Sequence, residues 1–140
     1  MEDWQTKALE LFPDRRELVE EQPNPMSLWI ELTIALEHVY EENPLSDDRI
    51  GKFYDYAAWC FKQPRTESAA TDLSTAVAVC FIEHIPLHHR ISDDMYRWIS
   101  AESFEGFENL FRYHLSDEEF KKFSAEFRAK KKDFKGSPRL

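Results

Sequence analysis

Residues 75–82 read TAVAVCFI and contain the longest uninterrupted apolar run of the chain, Ala76–Ile82. Its reading decides the fold class. A β-branched run of this length suits a buried strand as well as a buried helix, because periodicity alone does not separate the two. The flanks favour helix. The preceding SAATDLS, residues 68–74, is alanine-rich, and no other stretch offers a partner strand. At helical spacing, Leu73, Ala76, Val77, Cys80 and Phe81 share one face, and Ala78, Val79 and Ile82 leave little polar surface behind. A helix apolar nearly all round belongs in the middle of a structure. The sequence therefore predicts a single all-α domain, an irregular helical bundle or short helical array of six to seven helices, around a central apolar helix over residues 67–85.

Outward from this segment, seven prolines cut the chain into pieces of helical length. Asp3–Phe12 forms a first helix, and a turn or second helix runs from Pro13 to Glu21. Ser27 is expected to cap a helix reaching Glu42, with Trp29, Leu32, Leu36 and Tyr40 inward. Ser46, followed by Asp47 and Asp48, opens the next, since acids suit a helix N-terminus. Its inward face is Ile50, Phe53, Tyr54, Ala57, Cys60 and Phe61. Ser92-Asp93-Asp94 and Ser103 mark two later starts, and Ser116 with Glu119 makes a capping box. The starts at residues 45–50 and 91–96 resemble one another at a distance suited to two-helix repeats. Capping chemistry recreates such likeness by itself, so independent caps are the preferred reading.

Two C-terminal segments repeat one aromatic spacing: Phe104, Phe107 and Phe111, then Phe120, Phe123 and Phe127. Each set places three rings on one side of a helix. The two stripes are expected to pack together, closing an antiparallel helix pair. The domain is expected to span residues 1–134, with 135–140 a flexible basic tail.

Charge is uneven. Met1–Leu115 carries 22 acids against 10 bases and Ser116–Leu140 carries 5 against 8, giving a net charge of −9. An acidic body repels phosphate backbones and anionic lipid, so no nucleic acid and no membrane is expected as a partner. The glycine-rich phosphate-binding motifs are absent. Cys60 and Cys80 lie in apolar surroundings and read as buried thiols of a reduced, cytoplasmic protein. The N-terminus lacks the basic-then-apolar pattern of a signal peptide.

Two clusters are candidate sites. The first is an acidic corner with interleaved aromatics: Trp29, Glu37, Tyr40, Glu41, Glu42, Asp47 and Asp48. Aromatics anchor and carboxylates steer a basic protein partner. The second is HIPLHHR, residues 84–90, where His84, His88 and His89 are the candidate metal ligands. His84 and His88 have i, i+4 spacing, but Pro86 between them breaks the helix that such a site needs.

No nucleophile elbow or base-paired cysteine points to an enzyme class. The reading is thus a non-enzymatic protein-interaction module of the adaptor or immunity type. It needs no cofactor and binds a protein partner, for which a homodimer is one arrangement. The alternative is a metal- or small-ligand-binding protein or enzyme built on the histidines.

Overall fold

The computed structural model describes all 140 residues. It is entirely helical, with no strand, so TAVAVC is α-helix as expected, while Phe81 and Ile82 pass into the turn that follows. Nine α-helices follow in order: α1 (Asp3–Leu11), α2 (Arg16–Glu20), α3 (Pro25–Val39), α4 (Asp47–Phe61), α5 (Leu73–Cys80), α6 (His89–Asp94), α7 (Ala101–Gly106), α8 (Glu108–Arg112) and α9 (Asp117–Asp133). Short 3-10 turns occupy Pro13–Arg15, Ile82–Leu87 and Met95–Arg97. No helix is long and apolar enough to cross a membrane.

The count exceeds the expected six to seven because residues 82–112 form short pieces rather than two long helices. Pro86 is one cause. It has no N–H to return to the Ile82 carbonyl, and residues 82–87 tighten into a 3-10 turn. A second break falls at Phe107, directly after Gly106. The expected central helix over 67–85 shortens accordingly to α5, which packs against α3 and α4.

The start of α5 is set by Asp72, which is only 2% exposed. Its carboxylate accepts from the Thr75 N–H at 3.1 Å, the Thr75 hydroxyl at 2.5 Å and the Thr66 N–H at 3.1 Å. The Thr75 hydroxyl is the main cause that holds the Asp72 carboxyl below its ordinary value, and the Thr66 and Thr75 N–H groups and Arg65 add to it. The charged form is thus favoured in the folded state. The stability it contributes is present above the unfolded carboxylate pKa of about 4 and is lost as pH falls through the lower folded value. Asp72→Asn should flatten this acid limb in urea melts recorded from pH 7 to 3. Asp72→Ala should cost about 0.5–2 kcal/mol at pH 7, as losses of N-caps do. An unchanged acid limb in the Asn variant would refute the assignment.

Aromatic rings fill the middle of the molecule. Trp29 stacks between Tyr56 and Phe81, with centroids at 5.3 and 5.1 Å, and Tyr54 stacks on Trp98 at 5.7 Å. Gly51 lets this last pair in, since a Cβ there would lie 3.1 Å from the Trp98 ring.

The two phenylalanine stripes meet. Phe104 lies flat on Phe127 with centroids 4.0 Å apart, and Phe123 touches both Phe104 and Phe111. The basic end of α9 docks as well. Lys131 donates to the carbonyls of Tyr96 and Ile99, each at 3.0 Å, and Lys130 to that of Asp93 at 2.9 Å. The basic tail over 135–140 returns to the body. The Arg139 and Leu140 N–H groups donate to the Trp98 carbonyl, and Arg139 pairs with Asp55 at 2.7 Å. The acidic surface supplies the partner that the tail's charge needs.

Candidate functional site

The acidic corner lies where the C-terminal end of α3 meets the N-terminal end of α4. Trp29 does not belong to its surface: the ring is fully buried between Tyr56 and Phe81. Each helical residue turns the chain by 100°, so the inward Trp29 leaves its neighbour Ile30 pointing out. Tyr40 is half-buried, and its hydroxyl donates to Asp94 Oδ2 at 2.7 Å. Burial, then the nearby Tyr54 and the Asp94 charge, raise the Tyr40 phenol far above its ordinary value. It acts as a fixed donor.

The carboxylates of the corner are largely committed within the chain. Glu42 accepts from Arg49 at 2.7 Å, and Asp47 accepts from Arg97 at 2.9 Å. Asp47 is held below its ordinary value chiefly by that Arg97 bond. Glu37 contacts His88 Nδ1 directly. Glu41 is more open, with His38 and Arg90 each at 3.6 Å, and Asp48 has Lys52 at 3.7 Å. The last three separations exceed hydrogen-bond length and are screened by water.

The outer face of α3 supplies what the sequence reading missed. Ser27, Ile30, Ile34 and Glu37 succeed one another at helical i+3 and i+4 steps, with Glu31 beside them and Glu41 in the turn just past the helix end. Ile30 and Ile34 are 49% and 46% exposed, which is unusual for isoleucine. The signal was present in the sequence. Two isoleucines stand off the inward stripe of Trp29, Leu32 and Leu36, and an apolar residue outside a stripe faces water or a partner.

The histidines do not converge. The His84 ring lies 5.0 Å from that of His114, with its own Nδ1 buried and without a hydrogen-bond partner. His114 faces Glu83 at 3.9 Å. His88 is taken by Glu37, and His89 is solvent-exposed against Asp93 at 3.2 Å. No three His, Cys, Asp or Glu side chains are grouped so as to hold a metal ion. The grouping of His84, His88 and His89 therefore fails, because the 3-10 turn around Pro86 sends the rings to different neighbours.

Cys60 and Cys80 are free and buried. Burial pushes the Cys60 thiol up to about 12, and burial followed by the Glu83 charge raises that of Cys80. Such thiols are poor nucleophiles. Comparison of the chain with protein-family models, with curated proteins and with solved structures finds no match.

Proposed function

We propose that the chain is a cytoplasmic protein-interaction module, without catalysis of its own, that binds a basic protein partner on the outer face of α3. The observation that supports this most directly is the exposed pair Ile30 and Ile34, set beside Glu31, Glu37 and Glu41. Two aliphatic side chains at i, i+4 are a pair of anchors, and the carboxylates around them select for Lys and Arg on the other side. The acidic excess of residues 1–115 steers the same partner over a longer range. The loose contacts of Arg90 and His38 with Glu41 are easily exchanged for those of an incoming base. An adaptor or an immunity-type inhibitor fits this chemistry.

A photo-crosslinking residue at position 34, with a control at the exposed Glu118, tests the reading in cells. Position 34 should trap one basic protein that position 118 does not. Ile30→Ser should reduce the yield at least tenfold, in line with burial of an aliphatic side chain at about 1.5–3 kcal/mol. Equal products from both positions would refute the reading. So would trapping of a second copy of the chain.

A further inference from the structure

Ten bases face 22 acids between Met1 and Leu115, yet three of the ten line a single pocket. Arg15 from the turn after α1, and Arg49 and Lys52 from the first turns of α4, surround a cavity of about 270 Å³. Leu11, Phe12 and Phe53 give it an apolar wall, where the two rings lie 4.8 Å apart.

The three cations are not used up by the chain. Arg49 donates through Nη1 to Glu42 at 2.7 Å, a bond that fixes its guanidinium, but Nη2 meets only Asp14 at 3.6 Å. Lys52 lies 3.7 Å from Asp48. Both longer separations are beyond hydrogen-bond length. Arg16 pairs with Glu20, whereas its neighbour Arg15 makes no ion pair. Three donors from two elements, held near an aromatic wall with open N–H capacity, are more than solubility requires in so acidic a body.

We propose that this pocket binds a phosphate monoester carried on a single ring. A phosphate monoester offers three strong acceptor oxygens, one for each cation, whereas a carboxylate offers two. Arg49 presents a planar fork already oriented by Glu42, Arg15 and Lys52 complete the charge, and Leu11 with the edges of the buried Phe12 and Phe53 takes the ring. A volume just under the usual range for ligand pockets, about 300–1,000 Å³, limits the apolar part to about one ring. Asp14 also lines the pocket, but its side chain is 63% exposed and can turn to solvent, releasing Nη2 at little cost.

Amide chemical-shift titrations of the full chain test this with phenyl phosphate, inorganic phosphate, benzoate and phenol. Phenyl phosphate should saturate, shift the amides of residues 11–15 and 49–53, bind more tightly than the other three, and weaken with added salt. Arg15→Gln makes and breaks no internal pair, so its thermal melt should match that of the parent. It should weaken phenyl phosphate at least tenfold, and Lys52→Gln should do likewise. A phosphotyrosine peptide that binds tenfold more tightly than phenyl phosphate places the ring on a modified protein. Equal or weaker binding places it on a small phosphomonoester. The proposal is overturned by no saturation at ~10 mM phenyl phosphate, by phenol or benzoate binding as well as phenyl phosphate, or by Arg15→Gln and Lys52→Gln leaving the affinity unchanged.

Discussion

Phe104→Ala should lower the unfolding free energy by about 3–5 kcal/mol, the range for deleting a buried phenylalanine. The ring is 1% exposed and stacks on Phe127 at 4.0 Å, with Phe111 at 5.1 Å and Phe123 at 5.8 Å. Its partners come from both α8 and α9, so the void left behind cannot close by the movement of one side chain. Against a total stability of about 5–15 kcal/mol, this approaches unfolding. Denaturant melts of the variant should show a lower midpoint with an unchanged slope. Truncation after Ser116 is the stronger form of the experiment. It removes Phe120, Phe123 and Phe127 together with the Lys131 bonds to Tyr96 and Ile99. Phe104, Phe107 and Phe111 would then face water, and loss of cooperative unfolding with aggregation is expected. A soluble, cooperatively folding truncated chain would show that α9 contributes nothing to the core.

Asp94→Ala should cost about 1.5–3 kcal/mol, the range for losing hydrogen bonds to a charged group, because its carboxylate is partly buried and serves several donors at once. Asp94 joins four donors: the Tyr40 hydroxyl at 2.7 Å, Arg97 Nε at 2.6 Å, Arg97 Nη2 at 2.8 Å and Trp98 Nε1 at 3.0 Å. Its removal leaves the Tyr40 hydroxyl and the Trp98 N–H without acceptors, and Arg97 keeps only Asp47 at 2.9 Å. Unpaired buried donors cost more than the bond gained from them. Asp94→Asn keeps the size but loses the charge, and it should fall between the parent and the Ala variant. A double-mutant cycle with Tyr40→Phe checks the network: the second substitution should cost much less once Asp94 is gone. Equal costs in both backgrounds would show that the two groups act independently.

The sequence was most legible where a rule acts over one turn. Ser46 and Ser116 cap α4 and α9 as read, accepting from the N–H groups of Arg49 and Glu119. Two of the errors have one form. Ser27 and Ser103, taken as caps, are the residues whose N–H groups are capped, by Asn24 at 2.9 Å and Ser100 at 3.0 Å. A small polar residue stands at each end of the three-residue spacing, so sequence alone does not say which is the cap. Ser92 lies inside α6, since that helix already begins at His89.

The candidate site was less legible than the fold. Trp29 and Tyr40 were placed on the acidic corner by nearness in sequence, while the helix turns Trp29 into the core. The pairing of Glu37 with His88 and of Asp47 with Arg97 joins residues about fifty positions apart, which no local pattern encodes.

What the sequence by itself determined is the helical class, the two helix starts with unambiguous caps, and the meeting of the phenylalanine stripes. The class and the stripe contact follow from the 3.6-residue period and the need to bury three rings per stripe, and the starts from serine hydroxyls that accept first-turn N–H groups. Only the tertiary structure decided that α5 is eight residues long, that the tail binds Trp98 and Asp55, that the three histidines part, and that Arg15 joins Arg49 and Lys52. These depend on which charges and surfaces the packed chain brings together, and electrostatic and packing partners are chosen by distance in space rather than by spacing along the chain.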